Sequence, residues 1–359
     1  MSPRTIVPFG PQHPVLPEPI QLRLVMEDER VLEALPAIGY VHRGIEKAAE
    51  INDYVQNVFL VERICGICSF LHAVCYCLGI EKMMDVEVPP RASYLRVVWG
   101  ELHRLHSHHL WLGLFAESFG FESLFMQIWR NREMVMDLLE KTAGNRVIVS
   151  TSTIGGVRRD ISRDQATDTL QTLDHVQTEL DRLLPVIMND RTVRARTVGK
   201  GLLPRDQAVA LGAVGPVLRA SGVAQDTRMT GYTAYGELGF EPVVETAGDV
   251  YARALVRVRE IYQSIELVRR ALQRMPEGDI ITRAKGNPRG RAVSRVEQPR
   301  GELLYFLAGN GTRNLTRLRV RTPTFATIPA LVGMLRGCEL ADVPVITLSI
   351  DPCISCTER

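Results

Sequence analysis

Arg63-Ile64-Cys65-Gly66-Ile67-Cys68 and Asp351-Pro352-Cys353-Ile354-Ser355-Cys356 are the two stretches on which the reading of this sequence turns. Each is a Cys-x-x-Cys, a spacing that lets both sulfurs converge on one centre. One such pair is shared by redox dithiols and half zinc sites. Two pairs at opposite ends of the chain carry more weight. Four thiolates suit zinc, an iron–sulfur cluster, or nickel with iron, and ligand softness alone leaves these open. The other three of the seven cysteines, Cys75, Cys77 and Cys338, read as small apolar core residues. An odd cysteine count in a long chain does not fit a secreted disulfide framework, whereas thiols kept reduced suit metal ligation.

At 359 residues the chain has room for two or three domains or one large unit, and 45% hydrophobic residues is ample for a core. A net charge of +2 offers no argument for nucleic acid or a membrane surface as partner. No apolar run approaches the ~18–20 residues of a membrane span, and the proline-bearing start lacks a signal-peptide core. A soluble chain in the cytoplasm is expected.

Residues 18–36 read as a hairpin, with Leu22, Leu24 and Met26 alternating before the Glu27–Arg30 reversal. A helix is predicted over 44–61, another over 70–84, and a strong amphipathic helix over 91–115 after Pro89-Pro90. Its His103, His106, His108 and His109 invite a zinc reading, but no acidic or cysteine partner sits at ligand spacing. Further helices are predicted over 121–142, after the Ser162/Gln165 capping box, over 249–275 and over 325–337. Residues 286–321 turn β-like, and the arginines alternating from Arg317 to Arg321 read as a solvated or subunit-facing surface. The expected fold is α+β and predominantly helical. A central bundle over 44–285 lies between a β segment at 1–43 and a β/helix segment at 286–359 that carries the second cysteine pair, the whole forming one integrated unit.

The first cysteine motif followed by His72, with the terminal Asp-Pro-Cys-x-x-Cys, resembles the large subunit of [NiFe] hydrogenases. Gly10-Pro11-Gln12-His13-Pro14, His42-Arg43-Gly44-Ile45-Glu46-Lys47, Gly248-Asp249-Val250-Tyr251 and Pro299-Arg300-Gly301-Glu302 narrow the resemblance to the energy-converting (group-4, Ech-like) branch. That branch shares ancestry with the quinone-site subunit of respiratory complex I, which lacks the four cysteines.

The resemblance implies nickel held by Cys65, Cys68, Cys353 and Cys356, with Cys68 and Cys356 bridging to an iron that carries cyanide and carbon monoxide. It implies Pro299 and Arg300 beside the cyanide, Asp351 orienting Arg300, His72 donating to a cysteine sulfur, and Glu18 passing protons from Cys353. At Glu46 it implies a magnesium or iron ion, against which stands a salt bridge to Arg43 or Lys47. Arg359 stands where many hydrogenases have an ion-holding histidine, which weakens that site. The implied activity is reversible interconversion of dihydrogen with protons. The implied partners are a small subunit with a [4Fe–4S] cluster, ferredoxin-like proteins and ion-translocating membrane subunits, with this chain peripheral on the cytoplasmic side of the membrane. The competing readings are a metal-free subunit like that of complex I and a zinc-stapled scaffold.

Overall fold

The computed structural model describes residues 4–14, 16 and 18–359. Strands β1 (Thr5–Phe9), β2 (Gln21–Glu27) and β3 (Arg30–Ala37) form an antiparallel sheet in that order. Leu22, Leu24 and Met26 alternate onto its buried face, and Val31 and Ala34 continue it. The reversal turns on Asp28, whose φ of 51° lies in the left-handed region that Asp tolerates better than most residues. The predicted hairpin is β2–β3. The strand β1 gave no sequence signal, because Thr5, Ile6 and Pro8 are exposed along one edge.

Two helices, α1 (Ile45–Ile51) and α2 (Asn57–Glu62), replace the single helix predicted over 44–61. The interruption has a tertiary cause: the Tyr54 N–H donates to the Arg313 carbonyl at 2.8 Å and Asp53 bridges to Asn314. A distant hairpin takes the backbone groups that a continuous helix would need. Next come α3 (Ser69–Met84), α4 (Pro90–Glu117) and α5 (Glu122–Ala143), the last closed by Gly144 at φ 85°. A short ribbon, β4 (Ser152–Thr153) with β5 (Gly156–Val157), leads to α6 (Arg163–Met188), whose capping box is made in both directions. The short helices α7 (Arg191–Thr197), α8 (Arg205–Ala210) and α9 (Gly215–Arg219) follow. Asp249 then caps α10 (Val250–Arg274) by accepting from the Ala252 N–H at 2.7 Å. A second antiparallel sheet, β6 (Arg289–Gln298), β7 (Gly301–Asn310) and β8 (Leu315–Arg321), precedes α11 (Pro323–Leu335), α12 (Val343–Ser349) and α13 (Ile354–Glu358).

The architecture is α+β and predominantly helical, with small sheets toward both ends. Helix α4 is the axis of the bundle, packed by α5 and α10, while α3 lies across β6 and β7 and α1 across β8. It is not amphipathic in the expected sense. Leu95, Leu102, Leu105 and Leu112 are buried, but so are Arg96, Glu101, Arg104 and all four histidines. The polar face meets internal partners instead of water: Arg96 pairs with Glu81 at 2.5 Å, Arg104 with Glu101 at 3.1 Å, and His108 with Glu260 at 2.9 Å. The arginines of β8 differ from expectation in a similar way. Arg317 pairs with Glu50 at 2.8 Å and Arg321 with Glu302 at 2.5 Å, so the strand is tied to α1 and β7.

The last residue of α2, Glu62, is fully buried and accepts from the Ser150 hydroxyl at 2.6 Å, while its Oε1 has no partner. Burial pushes its carboxyl up to about 7, with the Ser150 hydrogen bond opposing. Because the folded chain holds this proton more tightly than the unfolded chain, stability from this group is lost as pH rises from about 4.5 to about 7. Glu62→Gln is expected to remove that decline. Its thermal stability relative to the parent should rise between pH 5 and pH 8 by up to about 3 kcal/mol. Parallel melting curves across that range would count against a proton held at Glu62.

Candidate metal centre

The first cysteine pair occupies the turn between α2 and α3, with Cys68 capping α3. The second lies at the start of α13, with Cys353 as its cap. The Cys353 sulfur accepts from the Cys356 N–H at 3.4 Å, and the Cys65 sulfur accepts from the Ile67 N–H at 3.3 Å. Each turn therefore aims its sulfurs by using its own backbone. All four cysteines are at most 3% exposed. Sulfurs from the two turns meet in pairs, Cys68 to Cys356 at 3.4 Å and Cys65 to Cys353 at 3.4 Å. The sulfurs of Cys65, Cys68 and Cys356 lie within 4.8 Å of one another. Hydrogen bonds from Cys353, Cys356 and Cys68 hold the Cys65 thiol well below its ordinary range, and the nearby Arg300 charge assists. Burial and the neighbouring thiols push Cys356 up. The quartet thus holds one negative charge readily and further ones only against a cation.

Arg300 sits with Pro299 in the two-residue reversal between Gln298 and Gly301, the end of the β6–β7 ladder. Its Nε donates to the Asp351 carbonyl at 2.8 Å and its Nη2 to Asp351 Oδ1 at 2.9 Å. Asp351 adopts a left-handed φ of 53°, which turns both acceptors toward the arginine. The remaining Arg300 Nη1 is buried with no protein partner, as are both polar atoms of the Gln298 side chain and the Thr322 hydroxyl. A buried guanidinium N–H beside four sulfurs suits a small acceptor ligand, so these residues fit a nickel–iron centre with diatomic ligands.

His72 Nε2 lies 3.4 Å from the Cys356 sulfur and Nδ1 lies 2.8 Å from the Tyr305 hydroxyl. Burial holds this imidazole down at about 4, so it is neutral at ordinary pH. Glu18 is fixed by Ser355, whose N–H donates to Oε2 at 2.8 Å and whose hydroxyl donates to Oε1 at 2.6 Å. That leaves Glu18 Oε1 3.9 Å from the Cys353 sulfur.

Glu46 is engaged by Arg359 and by β8. Its carboxylate accepts from Arg359 Nε at 2.9 Å, the Val320 N–H at 3.0 Å and Arg319 Nη1 at 3.4 Å, with Arg317 Nη2 at 3.7 Å. Neither salt-bridge partner expected from the sequence contributes: Lys47 pairs with Glu50, and Arg43 donates to backbone carbonyls. A carboxylate filled by guanidinium and backbone donors does not fit a divalent ion.

Arg43 is a site residue whose part in the centre the sequence did not reveal. Its Nη1 donates to the Arg63 carbonyl at 2.8 Å, and its Nη2 donates to the carbonyls of Ile64 at 2.8 Å and Ser355 at 3.0 Å. One side chain ties the two cysteine turns together. Thr324, which accepts from the Cys353 N–H at 3.1 Å, was also missed. Neither residue carries a spacing signal.

Gly215 governs how the Arg300 turn seats. It has a φ of 66°, and an added Cβ would lie 2.4 Å from the Arg300 carbonyl oxygen and 2.4 Å from Gly301 Cα. Gly215→Ala is expected to lose about 2–5 kcal/mol in chemical denaturation, the sum of left-handed strain and overpacking. Gly212→Ala, at a φ of 67° with open space around it, should lose only about 1–2 kcal/mol. Equal losses would mean that the close approach at Gly215 is unimportant.

Residues 118–287 and 280–359 match the family described as respiratory-chain NADH dehydrogenase, 49 Kd subunit, and residues 43–114 match the nickel-dependent hydrogenase family. The chain is 40% identical to the membrane-bound hydrogenase subunit alpha of Pyrococcus furiosus, over 98% of this chain and 87% of that one. It is 41% identical to the carbon monoxide-induced hydrogenase of Rhodospirillum rubrum, over 98% and 99%. It is 37% identical to an F(420)H(2) dehydrogenase subunit of Methanosarcina mazei, over 99% and 97%.

Proposed function

We propose, for a chain that belongs to the family joining nickel-dependent hydrogenase large subunits to the 49 kDa subunit of respiratory-chain NADH dehydrogenase, that it is the catalytic subunit of an energy-converting [NiFe] hydrogenase. The observation that carries this reading is the meeting of four buried cysteine sulfurs beside the unpartnered Arg300 N–H. Cys65, Cys68, Cys353 and Cys356 would hold nickel, with Cys68 and Cys356 shared with an iron carrying cyanide and carbon monoxide. When bound, such a centre supplies two-electron redox chemistry on dihydrogen.

The chain's own residues then do the rest. Arg300, braced by Asp351, offers a fixed donor to a ligand of the iron. His72, neutral and oriented by Tyr305, faces the Cys356 sulfur from behind. Glu18 takes a proton from the Cys353 sulfur and passes it outward. It lines a surface cavity of about 390 Å³ together with Gln12, His13, Leu16 and three prolines, through which solvent reaches the relay. No metal is assigned at Glu46, where the Arg359 guanidinium supplies the positive charge.

Among the described residues no helix is long and apolar enough to cross a membrane. Membrane attachment would come through partners: a small subunit with a [4Fe–4S] cluster, ferredoxin-like electron carriers and ion-translocating subunits, with this chain on the cytoplasmic side. A second reading, a metal-free subunit of a dehydrogenase complex, has the extent of the 49 kDa family match in its favour. The unpartnered Arg300 N–H beside the four sulfurs argues against it.

Elemental analysis of the purified complex decides between them, with nickel and iron expected and zinc alone or no metal refuting the proposal. Cys353→Ser should abolish dihydrogen turnover and nickel retention, because a hydroxyl is a poor ligand for a soft centre. Glu18→Gln should keep nickel and iron while hydrogen–deuterium exchange with solvent falls roughly 100-fold or more. Unchanged exchange would return Glu18 to a purely structural role through Ser355.

A further inference from the structure

The four histidines of α4 are unaccounted for by the proposed chemistry, and each is fully or almost fully buried. His108 belongs to the ion pair with Glu260, and His109 donates from Nδ1 to the Leu105 carbonyl at 2.7 Å. His103 and His106 form a separate pair, three residues apart on one face, with ring centroids 5.9 Å apart.

Their partners dictate where the ring protons sit. His106 Nε2 lies 2.6 Å from Arg132 Nη2, and a guanidinium can only donate. Nε2 is therefore the acceptor and the proton is on Nδ1, a buried donor without a partner. His103 Nδ1 lies 3.4 Å from the Ile67 carbonyl, which can only accept. Here the proton is again on Nδ1, and Nε2 is a buried acceptor without a partner. Adjacent rings thus carry one unused donor and one unused acceptor, each of which costs about 1–3 kcal/mol if left unpaired.

We propose that one buried water accepts from His106 Nδ1 and donates to His103 Nε2, completing a directed hydrogen-bond line from Arg132 to the Ile67 carbonyl. The line ends on the first cysteine turn, because Ile67 also gives its N–H to the Cys65 sulfur. His103 is in this sense a positioning residue for Cys65 and Cys68, and Arg132, 8% exposed on α5, sets the tautomer of His106. Phe70 stacks on the His103 ring at 5.8 Å and keeps the imidazole from swinging away. The consequence for nickel rests on the proposed function, but the proton positions do not.

Nitrogen-15 spectra of the histidine rings in the full-length protein test the line directly. Both His103 and His106 should be neutral with the proton on Nδ1 from pH 6 to pH 8, and His108 should carry its proton on Nε2. Arg132→Leu should let the His106 proton move to Nε2, and Arg132→Lys should restore it to Nδ1. A proton on Nε2 of His103 or His106 in the parent, or a His106 proton unmoved in Arg132→Leu, would overturn the proposal. Nickel loss to a chelator supplies the second readout. His103→Phe, which keeps the stacking and removes the donor, should release nickel roughly 10–100-fold more readily, and His103→Gln should recover part of the loss. Unchanged release from His103→Phe would remove the positioning role. A protein that contains no nickel would refute the assigned function while leaving the spectroscopic result to decide on the water.

Discussion

The centre depends on holding two turns from opposite ends of the chain at one fixed spacing, and a single guanidinium does this. Arg43 reaches the carbonyls of Arg63 and Ile64 on one turn and of Ser355 on the other. Its donors form a planar fork, so the two turns are set in angle as well as in distance, which a lysine ammonium could not do. The same corner is closed by Glu358, which accepts from the N–H groups of Gly39 and Val41 at 2.5 Å each. Glu46 and Arg359 complete the bracket. Arg317 and Arg319 of β8, which reach Glu46, and the short final helix, which carries Glu358, serve this junction.

Behind the junction, the bundle is held by charge as much as by apolar packing. Arg219 lies 2.6 Å from Glu260 and 2.7 Å from Glu297, and Arg228 lies 2.7 Å from Asp226 and 3.3 Å from Glu101. Tyr235 and Ser264 also donate to Glu101. Burial pushes the Glu101 carboxyl up, but Arg104 and Arg228 outweigh it and the group stays ionised. Such a network adds little net stability over an apolar core. Removing one member would leave an uncompensated charge and lose about 3–5 kcal/mol. It fixes the register of α4 against α10.

Local signals in the sequence were legible where the backbone decides structure locally. The Ser162/Gln165 box acts within one turn and lies where the spacing predicted, and the helices predicted over 121–142 and 249–275 are found to within a residue of those bounds. The cysteine pairs were legible because Cys-x-x-Cys is marked by both residue type and spacing. What remained hidden depends on residues far apart. The helix break at Asn52 needs Arg313, the role of Arg43 needs Ser355, and the buried polar face of α4 needs Glu260 on α10. Periodicity marked an apolar stripe on α4 but could not tell water from an internal partner on the other side.

The two halves of the quartet are separated by 288 residues, as in the pairing of Cys68 with Cys356. Synthesis therefore makes the first pair long before the second. At 5–20 residues per second the nascent chain carries Cys65 and Cys68 alone for roughly 15–60 s. During that interval the first turn lacks Ser355 to complete the Arg43 bracket and Cys353 to share its charge. Two reduced thiols on an unfinished chain are open to stray soft metals and to oxidation. A cluster joined from two distant turns therefore cannot close until the second turn has been made, and leaves the first pair of thiols exposed throughout that interval.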